Sequence, residues 1–320
     1  MTHLTRRNFL AATAALAVPG SLRAATPLQV VATTGMIADA ALNVAGEQAQ
    51  VQMLMGPGVD PHAYRQTRSD IVAMTRADLV LWHGLFLEAQ MESFLLELGE
   101  RQPVVAVAET LPKEGLLAHD DYENRLDPHV WMDTDLWKGV VAGVRDALIA
   151  ARPDSEAAFQ ANAEAHMAEI DRVGAYSRKV LASVPEPARV LITAHDAFNY
   201  FGAAHGFEVI GIQGISTESE AGVRRISELV DMLVSRRISA VFVESSVSDR
   251  NIRALIEGAA AQGHKVEIGG ELFSDAMGPA GTYEGTYVGI IDHNTTTIAG
   301  ALGGIVPSRG MQDLLRERQA

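Results

Sequence analysis

The 320-residue sequence contains no cysteine. That absence excludes disulfides, thiolate metal ligands, a cysteine nucleophile and a lipid-bearing cysteine, and it leaves His, Asp and Glu for any metal chemistry. Long apolar runs are also missing: beyond the first residues no segment approaches the roughly 18 uninterrupted apolar residues of a membrane span. Positive charge is in the minority, with 26 Lys and Arg against 40 Asp and Glu and a formal net charge of -14. An acidic surface argues against nucleic acid and anionic membrane as partners and favours cations.

What is present is a globular composition, 48% hydrophobic and 21% charged, in a chain too long for one comfortable core and about right for two. The first 25 residues, MTHLTRRNFLAATAALAVPGSLRAA, combine a basic start, a short apolar stretch, a Pro-Gly break and a small-residue end. They read as a cleaved export signal. Arg6-Arg7, followed by Phe9-Leu10, resembles a twin-arginine signal, with an ordinary secretory signal as the alternative. Removing its three arginines takes the charge to about -17. The expected product is an exported, soluble, monomeric periplasmic protein, not a lipoprotein.

From residue 28 onward, short β-rich runs alternate with helical patterns, which predicts α/β lobes built on parallel sheets with covering helices. The expected strands are 28–32, 51–55, 79–82 and 104–107, then 190–193, 208–211, 240–244 and 265–268. The expected helices are 38–44, 69–75, 88–98 and 134–150, then 197–204, 224–235, 249–261 and 286–301. Between the halves, 153–184 shows apolar positions at helical spacing. One helix of about 30 residues would span about 45 Å and join the lobes stiffly, so that closure is small; the alternative is two shorter helices broken near Gly174. The organisation is thus an N-terminal lobe at 26–152, a linking helix at 153–184 and a C-terminal lobe at 185–320.

Without cysteine, the ten histidines carry the functional information. Two occur in a repeated tripeptide, Asp60-Pro61-His62 and Asp127-Pro128-His129, each in a loop. The proline stiffens the loop that presents the imidazole. The aspartate is placed to accept the ring's other N–H. His195 directly follows the strand 190–193, and Asp275 follows 265–268, and ligands of open α/β sheets gather at the carboxyl ends of strands. The other histidines are assigned plainer places. His83 lines the cleft, His119 is a solvated loop residue, His166, His205 and His264 are structural or solvated, and His293 lies inside the last helix. Gly211-Ile-Gln-Gly lacks nucleotide-binding spacing, Ser245-Ser246 lacks a nucleophile elbow, and Glu218-Ser219-Glu220 reads as a helix start.

At these residues the chain resembles the cluster A-I (TroA-like) substrate-binding proteins of ABC transporters for zinc, manganese and iron, from about residue 27 to its end. The resemblance is carried by Gly58-Val-Asp-Pro-His62, Asp127-Pro-His129-Val-Trp-Met-Asp, Thr193-Ala-His195-Asp-Ala-Phe-Asn-Tyr-Phe and Leu272-Phe-Ser-Asp275-Ala-Met-Gly. It implies two lobes on one rigid helix, a metal buried between them on His62, His129, His195 and Asp275, and a membrane permease with its cytoplasmic ATPase as partner. Some manganese-type members carry glutamate at the third position, where this chain has His195. Many zinc-specific members carry a long histidine-rich insertion before the second ligand; the short stretch 112–126 here has only His119. The cargo is accordingly Zn²⁺ or Mn²⁺, with Fe²⁺ as a further possibility. Other functions are a periplasmic metallohydrolase using three histidines, against which stands the missing His-Glu-x-x-His motif, and a metal chaperone without a transporter.

Overall fold

A computed structural model describes residues 26–119 and 122–315. The export signal, with its two arginines and its cleavage, lies outside the described residues. Four strands, β1 (Leu28–Ala32), β2 (Ala49–Met53), β3 (Leu79–Trp82) and β4 (Val104–Ala106), form a wholly parallel sheet in the order β2-β1-β3-β4. All four residues of β3 are buried, as expected of an interior strand covered on both faces. Helices α1 (Gly35–Ala45), α2 (Arg68–Arg76), α3 (Glu92–Gly99) and α4 (Thr134–Ala151) accompany it. Thr34, Thr67 and Asp133 cap the first, second and fourth through side-chain oxygens, which satisfies amide groups that open a helix.

The second half repeats the parallel pairing as two pairs of strands. β5 (Val190–Thr193) pairs with β6 (Glu208–Gly211), and β7 (Ala240–Glu244) with β8 (Glu267–Leu272). β5 and β7 lie side by side. Helices α6 (Asn199–His205), α7 (Val223–Arg236), α8 (Arg250–Ala261) and α9 (Tyr287–Ala301) cover them. A register shift between Val241 and Phe242 interrupts the β7–β8 ladder, where Gly270 takes a φ of 152°.

The linking segment is one helix, α5 (Glu156–Leu181), preceded by a turn of 3₁₀ helix. Its 26 residues span about 39 Å at about 1.5 Å per residue. Phe159, Ala163, Ile170, Val173, Gly174 and Ser177 form its buried stripe. The stripe packs on α1 and α4 from the first half and on α9 from the second. Ser177 and Tyr176 hydroxyls bond Thr295 and Thr296 of α9 at 2.8 and 2.7 Å. One hydrophobic cluster accordingly runs from Val30 and Leu81 through Trp131, Trp137 and Phe159 to Phe242 and Tyr287.

Several expectations are displaced. β2 begins two residues early, because its register with β1 pairs Leu28 with Ala49. The pattern at 88–91 is turn, with α3 starting at Glu92. Glu218-Ser219-Glu220 is not a helix start: it belongs to the loop after β6, and α7 opens on Gly222.

Candidate metal site

The loop after β2 brings His62 inward, and Gly58, at a φ of 72°, makes the turn ahead of it. His129 stands at the end of a loop held by the second half: the Tyr200 hydroxyl donates to the Asp127 carbonyl at 2.9 Å, and Asn199 donates to the Asp127 carboxylate at 3.2 Å. His195 lies just past β5 and Asp275 just past β8, both at carboxyl ends of strands. The four side chains, from sequence positions spread over more than 200 residues, converge on one point. One ligand atom from each lies within 4.8 Å of all the others, and all four residues are buried.

The spacings test whether an ion fits. His62 Nε2 is 3.3 Å from His129 Nε2; the Asp275 carboxylate is 3.1 Å from His195, 3.4 Å from His129 and 3.7 Å from His62. Four N and O donors about 2.0–2.1 Å from a tetrahedral ion stand about 3.4 Å apart along each edge. These four spacings, 3.1–3.7 Å, bracket that value, and all the pairs lie within 4.8 Å. Moreover, His195 Nε2 and both Asp275 carboxylate oxygens are buried without a hydrogen-bond partner. Buried polar atoms left that way are costly, and a cation at the centre would satisfy them together.

The outward ring nitrogens are held by carboxylates. Asp127 accepts from His129 Nδ1 at 2.7 Å and from the His129 backbone N–H at 3.0 Å. Glu244, the last residue of β7, accepts from His195 Nδ1 at 2.5 Å and from the His195 backbone N–H at 2.8 Å. A proton fixed on Nδ1 leaves the Nε2 lone pair facing the centre and makes the ring a stronger donor. Asp127 does what its tripeptide predicts. Asp60 does not: its carboxylate accepts the His62 backbone N–H at 2.9 Å and the Thr217 hydroxyl of the second half at 2.6 Å. Proline rigidity is shared by the two loops, but only in the second does the aspartate face the ring.

Electrostatics in the ion's absence follow from burial and from Asp275. Burial pushes the His62 pKa down to about 3, against the pull of Asp275. For His129, burial opposes the charge, yet Asp127 and Asp275 outweigh it and hold the pKa up at about 9. His195 is raised well above its ordinary value against the same burial, by Asp275 and Glu244, and Asp275 in turn is held far below the carboxylate range by His195 and His129. Protons occupy the centre when metal does not, so binding metal releases them.

The remaining histidines stand behind or away from the cluster. His83 is fully buried, not a cleft wall; its Nε2 lies 2.7 Å from the Pro128 carbonyl and its ring packs edge-on against Trp131, bracing the loop that carries His129. His119 is not solvated but 6% exposed, with its ring on Tyr122. His166 is buried in α5, and His264 bonds the Ile238 carbonyl. His293 points at the Glu271 carbonyl, apart from the four. Glu244 and Trp131, which donates to the Ser274 carbonyl at 2.8 Å, are the contributors that sequence reasoning missed. The signal for Glu244 was a lone carboxylate ending an apolar strand.

Comparison with known proteins decides the family. The model of the zinc-uptake complex component A, periplasmic, ZnuA, matches residues 30–301. The chain belongs to this family. It is 48% identical to the manganese-binding lipoprotein MntA of Bacillus subtilis over 275 residues, which covers 86% of this chain and 90% of MntA. It is 46% identical to the zinc-binding protein TroA of Treponema pallidum over 273 residues, covering 85% and 88%. The solved structure of periplasmic zinc-binding TroA superposes with a TM-score of 0.84 at 45% identity, covering 87% of this chain and 99% of TroA. The two-lobe α/β fold on a long connecting helix is the one shared with TroA.

Proposed function

We propose that the protein binds one divalent transition metal as cargo on His62, His129, His195 and Asp275 and delivers it to an ABC-type importer made of a membrane permease and its ATPase. The observation that carries this reading is the buried convergence of four donors, with one ligand atom of each within 4.8 Å of all the others. Four protein donors leave a tetrahedral ion no position for an activated water, which favours carriage over catalysis. The related proteins are named for metal binding or uptake as well.

Three nitrogens and one carboxylate favour Zn²⁺ over Mn²⁺ and Fe²⁺ in intrinsic affinity. The relatives divide, MntA being named for manganese and TroA for zinc at nearly the same identity. The proposed cargo is therefore Zn²⁺ or Mn²⁺, selected by supply. MntA is named a lipoprotein, whereas these 320 residues contain no cysteine to carry a lipid. A soluble, monomeric periplasmic carrier is proposed, with lobes at 26–152 and 185–320 on the linker 153–184. Elemental analysis of protein isolated from its native periplasm tests the reading. Close to one equivalent of zinc or manganese is expected, lost in His129→Ala; protein that carries no transition metal, and whose melting temperature Zn²⁺ and Mn²⁺ both leave unchanged, would refute it.

A further inference from the structure

A second cavity, of about 360 Å³, lies between the two halves and apart from the four donors. The first half supplies α1 and the end of β2 with its Gly56-Pro57 turn; the second supplies the chain from Met277 to Thr286. Its volume is that of a small-ligand pocket. Its walls are mainly apolar and include Met53, Met55 and Met277, whose flexible thioethers fit varied apolar shapes. The same walls run into the metal site, since the Gly56-Pro57 turn leads to His62 and Met277 follows Asp275 by two residues.

One ionisable side chain lines this cavity, Asp39. Its Oδ2 accepts the Tyr287 N–H at 3.1 Å, and the Asn43 amide sits beside it. No Lys, Arg or His among the described residues pairs with it; the other charged group that acts on it is the carboxylate of Glu169. Asp39 thus takes the first amide of α9 while the Thr286 hydroxyl accepts the Gly289 N–H at 3.0 Å, and neither of its donors, the Tyr287 N–H and the Asn43 amide, brings a full positive charge. A buried carboxylate without a cation is costly, and an incoming cation offsets that cost.

We propose that this cavity binds a small apolar molecule bearing one positive charge, an alkylammonium. Its ammonium group pairs with Asp39, and its chain lies among Met53, Met55 and Met277. Such a ligand bridges the two segments that present His62 and Asp275, so its occupancy slows metal release. By linkage, the factor by which the ammonium raises the equilibrium affinity for metal is the factor by which bound metal raises the affinity for the ammonium.

The probe is n-hexylammonium, titrated calorimetrically into metal-free and Zn²⁺-loaded protein beside hexanol and hexanoate. Saturable one-to-one binding is expected, at least about 10-fold tighter than for either other probe, as befits a charge-assisted hydrogen bond. Asp39→Asn is expected to remove that preference and leave hexanol unchanged, and Ala280→Trp, at the exposed rim, to exclude all three probes. A chelator chase is expected to show Zn²⁺ leaving at least about 3-fold more slowly at saturating hexylammonium. No saturable binding, or undiminished hexylammonium affinity in Asp39→Asn, overturns the site, and an unchanged chase overturns the coupling. Should Asp39→Asn fail to fold, equal affinity for the three probes on the natural protein overturns it instead. The titration on metal-free protein stands apart from the metal-carriage reading, so the two can fail separately.

Discussion

Glu244 grips His195 at two points, ring and backbone, and no other described carboxylate reaches that ring from behind. Replacing it by glutamine keeps the shape but weakens the acceptor and removes the charge that makes the ring a strong donor. Zn²⁺ affinity of Glu244→Gln, measured by chelator competition, should fall by about 10- to 100-fold, the usual loss when a ligand's hydrogen-bond partner is changed; unchanged affinity would reduce Glu244 to a packing residue. Asp39 yields a prediction of opposite sign. Burial, only partly offset by the Tyr287 N–H and Asn43, raises its pKa from 3.8 to about 6. An acid with a raised folded pKa contributes its full stability below about 3.8 and loses it as pH climbs through about 6, a cost of about 3 kcal/mol at neutral pH. Asp39→Asn should accordingly stabilise the metal-free protein against urea at pH 8 and leave it near the natural value at pH 4. Equal effects at the two pH values would contradict this. The four converging side chains were legible as candidates because each follows a strand-like run or sits in an Asp-Pro-His loop. Glu244 was not: its role depends on β5 and β7 lying side by side, which brings together residues 49 apart in sequence. His119 was misjudged for a related reason, since a short loop stretch suggested solvent, while its ring packs on Tyr122 and the residue is buried.

At the scale of elements, alternation of strand and helix was readable throughout, and the errors lie at ends, where pairing rather than pattern decides. The β2 boundary is set by the partner strand β1, and 88–91 is drawn into a turn in which the buried Glu88 carboxylate accepts the backbone N–H groups of His83 and Gly84. The linking helix is the clearest success, and it continues through Gly174, where a break was the alternative. Glycine serves a close crossing there. A Cβ at this position would stand 2.5 Å from Thr134 Oγ1, at the start of α4. Gly174→Ala gains about 1 kcal/mol of helix propensity but forces Thr134 aside, at an overpacking cost of about 1–3 kcal/mol. A net loss of about 1 kcal/mol is expected in the urea midpoint. A gain in stability would mean that the crossing is loose.

Over the whole molecule the question is how far the lobes part to load and release an ion. A hinged protein joins its lobes by short segments and shares little core between them, so that opening exposes few apolar groups. Here α5 packs on helices of both halves, and one hydrophobic cluster extends from Val30 and Leu81 in the first half to Phe242 and Leu272 in the second. A wide opening would strip that cluster and cost about 25 cal/mol for every Å² of apolar surface exposed. Small local movements of the ligand loops are therefore favoured over rotation of the lobes. The absence of native cysteine makes this measurable, because two introduced thiols are the only labelling sites in these 320 residues. Leu96 on α3 and Val223 on α7 are both exposed and lie in opposite halves. With spin labels on Leu96→Cys and Val223→Cys, the distance between labels should shift by less than about 5 Å, one helical turn, between metal-free and Zn²⁺-loaded protein. A larger shift would show that α5 bends or that the shared core parts, and release would then proceed by lobe opening.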